Sequence, residues 1–275
     1  MRHNLHYQLN YLRVTFPKSS LKFRLRVNWI SSLIYPTISV IVFLSIWELL
    51  VWFFDVPIWL VPKPSDFLNR FFSDFSTIAN HGLATSITII IGFLLGIFVA
   101  VPLALLIVSL DFLQRGLYPV IVFLNIMPKT VIGPILIVWF GIGPLAAVII
   151  VFLMCFFPIL VDSMSGFRAV NPKLFFITKS MGATSLQNFY YIRLPSSLQY
   201  IFGGMRIGIV KAVEGVMIAE FISSNEGLGF MIMRASSFMD MTLLFSGLIA
   251  AAIVALLFNS LLLTIEWLMI PWKHQ

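Results

Sequence analysis

Six long apolar runs constrain this chain more than any other feature. They fall at about residues 32–54, 83–110, 117–140, 145–166, 197–222 and 243–270. A helix needs about 20 mostly apolar residues to cross about 30 Å of hydrocarbon. Helices satisfy their own backbone groups in lipid, whereas an open sheet leaves an edge unpaired. A membrane barrel would alternate apolar and polar residues, and these runs are continuous. The expected fold is therefore an all-α polytopic membrane protein with about six transmembrane helices. Composition agrees: the chain is 60% hydrophobic and 11% charged, outside the range of soluble domains. The first run starts only near Ile30 and is long enough to span, so no cleavable signal peptide is expected.

Charge is distributed by side. Residues 1–31 form a basic tail with Arg2, Arg13, Lys18, Lys22, Arg24 and Arg26 and no acid. The positive-inside rule places it in the cytoplasm, and about six spans return the C-terminus to the same side. The loop from Asp55 to His81 is expected outside, with Lys63 and Arg70 against Asp55, Asp66 and Asp74. Within it, Pro64-Ser65-Asp66 begins a helix whose Phe67, Leu68, Phe71, Phe72 and Phe75 predict an interfacial amphipathic face. Asp111–Gly116 and Gly141–Pro144 read as short turns, and Ser223–Met241 as an outside loop. The net charge of +7 is thus a matter of topology, and no nucleic-acid partner is expected.

One connection differs from the rest. Residues 172–195 read PKLFFITKSMGATSLQNFYYIRLP, with Lys173, Lys179 and Arg193 and no acid. Most connections run about 4–6 residues. The pattern predicts a helix over Lys173–Met181, a stop at Gly182, a cap at Thr184 or Ser185, and a second helix ended by Pro195. This cytoplasmic corner reads as a docking foot for a partner; an ordinary basic loop has the same charge. A helix-turn-helix DNA reader also carries a glycine in its turn, but flanking spans leave it no room to enter a groove.

Ionisable residues inside the runs are the candidates for function, since each costs about 2.5–3.5 kcal/mol at the centre of a span. Lys129 follows the Pro128 break and is expected to face a polar path. Arg206 either snorkels to the cytoplasmic side or joins that path. Lys211 and Glu214 lie three apart on one helix face and are expected to neutralise each other. Glu220, near the outer end, is a candidate gate. Gly92, Gly96, Ala100 and Ala104 form one small-residue stripe, and Gly204, Gly208 and Ala212 another; such stripes let helices approach closely.

Bond-making chemistry is not expected. There is no Gly-Lys dipeptide for a phosphate-cradling Walker loop, no HExxH and no GxSxG. His3, His6, His81 and His274 are scattered, and Cys155 is the sole cysteine. Energy must therefore come from a partner or from an ion gradient.

With these pieces in view, the chain resembles the permease subunit of binding-protein-dependent ATP-binding-cassette importers, in the branch for nitrate, sulfonate, taurine and thiamine-precursor (pyrimidine) solutes. The similarity covers about Leu33 to Trp272. It is carried by Gly182-Ala183, Phe189, Ile192 and Leu194-Pro195 in the foot, by MPKTVIGPILIVWFGIG at Met127–Gly143, by GGMRIGI at Gly203–Ile209, by Ala219-Glu220 and by Gly227-Leu228-Gly229. Phe176-Ile177-Thr178 stand where the family signature has Glu-Ala-Ala.

The resemblance implies an importer-permease (MetI-like) architecture over residues 32–275 and a multi-pass location in the bacterial inner membrane. It implies two cytoplasmic ATPase subunits holding the ATP, a second permease copy as a homodimer, and an external solute-binding protein. The chain itself would hold no cofactor or metal. Phe175, Phe176, Lys179, Gly182, Ala183, Phe189, Leu194 and Pro195 would then couple to the ATPase, with Phe175 or Phe176 as an apolar knob. Pro128, Lys129, Arg206, Glu214 and Glu220 would line or gate the path. Lys129 and Arg206 favour an anion; the many phenylalanines suit a neutral pyrimidine equally well. The competing reading is a secondary transporter with Glu214 and Glu220 as proton sites.

Overall fold

The computed structural model describes residues 29–274, and the expected tail lies largely outside them. Helices dominate, and no strand occurs among the described residues. The chain divides into two units at Leu49/Leu50. The first contributes most of α1 (Trp29–Phe53), which carries Pro36 within it. The window of this helix that could cross a membrane is only 6% buried. Apolar residues recur around all of its faces, as in a helix surrounded by lipid.

The second unit contains the remaining helices. They are α2 (Pro64–Ser73), α3 (Phe75–Ser109), α4 (Asp111–Ile126), α5 (Gly133–Phe140) and α6 (Pro144–Arg168). After these come α7 (Pro172–Ser180), α8 (Ser185–Asn188), α9 (Leu194–Ser223), α10 (Leu228–Ser237) and α11 (Met241–Met269). Among the described residues, four helices are long and apolar enough to cross a membrane unaided: α1, α3, α6 and α11. The other two expected spans fall short of that for two different physical reasons. Pro128 divides one into α4 and α5, and α9 carries Arg206, Lys211, Glu214 and Glu220.

α6 is the centre of the bundle, packed against α9 on one side and α3 on the other. Lipid tails are as apolar as leucine, so association in a membrane relies on close packing rather than on escape from water. The small residues provide that closeness. Gly92, Gly96, Ala100 and Ala104 of α3 are all buried. A Cβ at Gly92 would stand 2.6 Å from Val151 Cγ1, and one at Gly204 3.1 Å from the Ile159 Cα. Both glycines therefore bring helix backbones closer than any side chain would allow.

Several boundaries differ from expectation. The chain breaks at Leu110 alone, because Asp111–Gly116 already belongs to α4. The outside loop at Ser223–Met241 contains α10. α2 does not present one continuous face to lipid. Phe67 is buried, its ring stacks on Phe245 of α11 at 5.7 Å, and its carbonyl accepts from Ser246 Oγ at 2.8 Å. Leu68 and Phe72 stay exposed, and Phe75 begins α3. Intramolecular packing, which periodicity does not register, takes the Phe67 side of that face.

Candidate functional site

A cavity of about 440 Å³ opens about halfway along α6 and α9 and is closed on a third side by the α4–α5 break. The break follows from Pro128. The residue before a proline avoids the α region, and Met127 is extended, with φ −56° and ψ 134°. A single 3₁₀ turn, Lys129–Ile132, then leads into α5. The end of α4 leaves carbonyls without helical donors. Lys129 reaches back to one, its Nζ donating to the Asn125 carbonyl at 2.7 Å. The same ammonium stands 5.1 Å from the centroid of the Phe157 ring, within cation–π range.

Two further walls carry charge. From α9, Lys211 Nζ donates to Glu214 Oε2 at 2.6 Å, so this pair neutralises itself as its spacing predicts. From α6 comes Asp162, one turn beyond Pro158 and packed against Gly203 and Gly204 of α9. Among the described residues, no side chain forms an ion pair or hydrogen bond with its carboxylate. Asp162 is not among the residues expected from the sequence, although an acid inside an apolar run is the available signal.

The structure separates the other expected path residues from this cavity. Arg206 Nη2 donates to Glu266 Oε1 of α11 at 2.6 Å, and the Glu266 side chain is only 6% exposed. Arg206 thus ties α9 to α11. Glu220 is likewise engaged, at the far end of α9. It is 3% exposed and accepts from Thr85 Oγ1 at 2.8 Å and from the Gly229 N–H at 2.8 Å. The Leu228 N–H donates to Thr85 Oγ1 at 2.8 Å and the Gly227 N–H to His81 Nδ1 at 3.1 Å. Three successive amides at the start of α10, which have no helical acceptor, are therefore met by side chains of α3 and α9. Gly227 is required twice over. Its φ is +105°, and a Cβ there would fall 2.2 Å from Glu220 Cδ.

The foot has the expected helix–glycine–helix form in its backbone. α7 ends at Ser180 and Gly182 has φ +81°. Thr184 caps α8: Gln187 N–H donates to its hydroxyl at 3.3 Å, and Gln187 Oε1 accepts from the Thr184 N–H at 2.8 Å, a reciprocal capping box. The far boundary differs. Pro195 does not end a helix but sits in the first turn of α9, where its missing N–H costs nothing. From Ser185 the chain stays helical through a π-turn at Phe189–Arg193 to Ser223. Phe189 and Leu194 pack on the core, whereas Met181 and Tyr191 are each 80% exposed. These two line an open cleft of about 410 Å³ with Gly182 and Ala183. Arg193 Nη1 donates to Ser109 Oγ at 3.4 Å, joining the foot to the end of α3. The side chains of Phe175, Phe176 and Lys179 lie outside the described part of the structure. Among the described residues no group of histidines, cysteines and acids could hold a metal.

A broken helix over a charged mid-bundle cavity, continuous with an exposed basic corner, is the arrangement of a membrane transport component. Residues 92–271 match the family of binding-protein-dependent transport system inner membrane components, and the chain belongs to that family. Curated relatives include the formylaminopyrimidine transport permease protein ThiX of Halalkalibacterium halodurans. It is 29% identical over 241 residues, covering 87% of this chain and 96% of the relative. The putative aliphatic sulfonates transport permease protein SsuC of Bacillus subtilis is 26% identical, with 92% and 91% covered. The taurine transport system permease protein TauC of Escherichia coli is 26% identical, with 73% of each covered. Among solved structures, a chain of the MetNI methionine ABC transporter superposes with a TM-score of 0.62 at 17% identity, covering 71% of this chain and 97% of that one. The chain is thus a permease subunit of an ATP-binding-cassette importer. The ion-gradient reading is set aside, and its two carboxylates are engaged elsewhere, Glu214 by Lys211 and Glu220 by Thr85 and Gly229.

Proposed function

We propose that this permease moves a small polar solute by alternating access, driven by ATP hydrolysis in separate cytoplasmic subunits that dock on residues 172–195. One observation carries the reading: the foot is continuous with a wall of the cavity. Helical backbone runs without interruption from Ser185, beside the cleft at Gly182, to Lys211 and Glu214 in the cavity wall. A helix is a continuously hydrogen-bonded element that rises about 1.5 Å per residue, so displacement of the foot is carried along it to the wall. Two states of a bundle related by such a rigid-body shift make an alternating-access device.

In this reading two copies of residues 32–275 enclose the path, two ATPase subunits sit beneath them, and an external binding protein delivers the solute. The tail, residues 1–31, and the C-terminus face the cytoplasm of a bacterial inner membrane. Met181, Gly182, Ala183 and Tyr191 form the docking cleft together with the α7 positions Phe175, Phe176 and Lys179, while Phe189, Leu194 and Pro195 anchor it. Pro128, Lys129 and Glu214 belong to the path; Arg206 and Glu220 hold the bundle around it. Relatives named for sulfonates, taurine and formylaminopyrimidine favour a solute of that size.

The test is a pull-down of the tagged, detergent-solubilised chain from its native membrane with an ATPase assay of the eluate. The expected result is a stoichiometric ATPase that is lost when Gly182 becomes Trp, because φ +81° excludes a side chain there without strain. A chain that elutes alone and hydrolyses no ATP overturns the reading.

A further inference from the structure

The cavity also specifies what it can carry. Lys129 and Arg206 together favour an anion, but the structure removes both halves of that argument. Arg206 is neutralised by Glu266 outside the cavity, and Lys129 shares the cavity with Asp162. In their ionised forms the lining side chains are Lys129 and Lys211 against Asp162 and Glu214, two positive and two negative, which sum to zero. Lys211 and Glu214 are spent on each other.

The remaining two are not. Lys129 has a backbone carbonyl and an aromatic face as partners, but no carboxylate among the described residues. Asp162 has neither an ion-pair nor a hydrogen-bond partner among them. A carboxylate and an ammonium half-buried between helices of a membrane bundle each favour a partner of opposite charge. Both of these open onto one space. A group that enters and satisfies only Lys129 leaves Asp162 to repel it, and discrimination is set by such repulsive elements as much as by attractive ones.

Building on the importer reading, the geometry points to a dipolar, net-neutral solute as the cargo of this cavity. Such a solute carries an anionic or acceptor group for Lys129 and a cationic or donor group for Asp162. A simple anion is disfavoured. The two residues act as specificity determinants of the permease itself, apart from any selection made by a binding protein. A zwitterion and an uncharged heterocycle with a donor and an acceptor share this chemistry.

The experiment compares a zwitterion with its two halves. Binding of 3-aminopropanesulfonate, propanesulfonate and propylammonium to the detergent-solubilised chain, in whatever assembly it purifies, is measured by ligand-observed saturation-transfer NMR. A fourth probe, 4-aminopyrimidine, represents the uncharged source. The expected result is that 3-aminopropanesulfonate or 4-aminopyrimidine binds about tenfold more tightly than either half. That preference should fall in both Lys129→Gln and Asp162→Asn. Which of the two probes binds better identifies the source. Propanesulfonate binding as well as the zwitterion, tightening further in Asp162→Asn, overturns the proposal. So does the absence of binding by both dipolar probes. ATPase co-purification is read on the same samples. Its loss alongside an intact dipolar preference faults the importer reading and not the cargo class; the reverse faults the class alone.

Discussion

Glu220 and Asp162 are both carboxylates placed between helices of one bundle, and they differ in what surrounds them. Glu220 accepts from Thr85 and from the Gly229 amide, at the end of a chain of bonds that also satisfies Leu228. Asp162 lies in a cavity wall with no comparable set. The first arrangement locks α3, α9 and α10 together at one end of the molecule. The second leaves capacity for something that comes and goes. A buried polar group that is fully satisfied rigidifies its surroundings, whereas a half-buried carboxylate facing a cavity is open to whatever enters it.

This contrast can be broken by substitution, and the largest effects belong to the locked end. Gly227→Ala should be the most damaging single change. It places a Cβ 2.2 Å from Glu220 Cδ at a φ of +105°, so both backbone strain and collision oppose it. A loss of about 3 kcal/mol or more, read as a fall in the unfolding midpoint in detergent, is expected. Glu220→Ala should follow at about 2 kcal/mol, because it strips acceptors from the buried Thr85 hydroxyl and the Gly229 amide. A Glu220→Ala chain as stable as the parent would show that the locked end is not locked.

Breaking the Arg206–Glu266 pair comes next. Arg206→Met leaves the Glu266 carboxylate buried, and about 1–3 kcal/mol should be lost, with the lower figure favoured because the Arg206 side chain is 37% exposed. The double change Arg206→Met with Glu266→Met should recover most of that loss. By contrast, Asp162→Asn should move stability by less than about 0.5 kcal/mol, since no bond among the described residues depends on its charge. A drop at Asp162 as large as that at Glu220 would erase the distinction between the two carboxylates.

The smallest effect is pH-linked. Asp240 caps α11 outside the membrane-spanning part. Burial pushes its carboxyl up, but donors from Thr242 and the Leu243 N–H, with Arg70 nearby, outweigh that and hold it below the usual carboxylate range. A carboxyl depressed in the folded state contributes stability above its unfolded value and loses it as pH falls through the folded one. Acid should therefore loosen the cap, and Asp240→Asn should flatten that acid limb of the stability profile.

The same contrast explains how much could be read from the residues alone. Local rules served well where both partners are near in the chain. The Gly92–Ala104 stripe, the Gly182 stop, the Thr184 cap and the Lys211–Glu214 pair all rest on spacings of a few residues. Interactions between distant positions were not legible. Thr85 meets Glu220 across 135 residues and Arg206 meets Glu266 across 60, and no periodicity links either pair. Pro195 failed for a different reason: proline is equally suited to the first turn of a helix and to the position after its end, so only the continuous backbone decides. Asp162 was within reach of the rule that an acid in a span marks function, since it lies inside the apolar run at 145–166.

The claim that joins these regions is that the foot drives the cavity through α9. It can be tested by replacing Asn125, which lines the cavity, with cysteine in a Cys155→Ser background and labelling it with a membrane-impermeant thiol reagent from the external side. Labelling of the assembled importer should accelerate when a non-hydrolysable ATP analogue is added, and the acceleration should disappear in Gly182→Trp. A labelling rate that nucleotide does not change, in an assembly that retains its ATPase, would contradict the account.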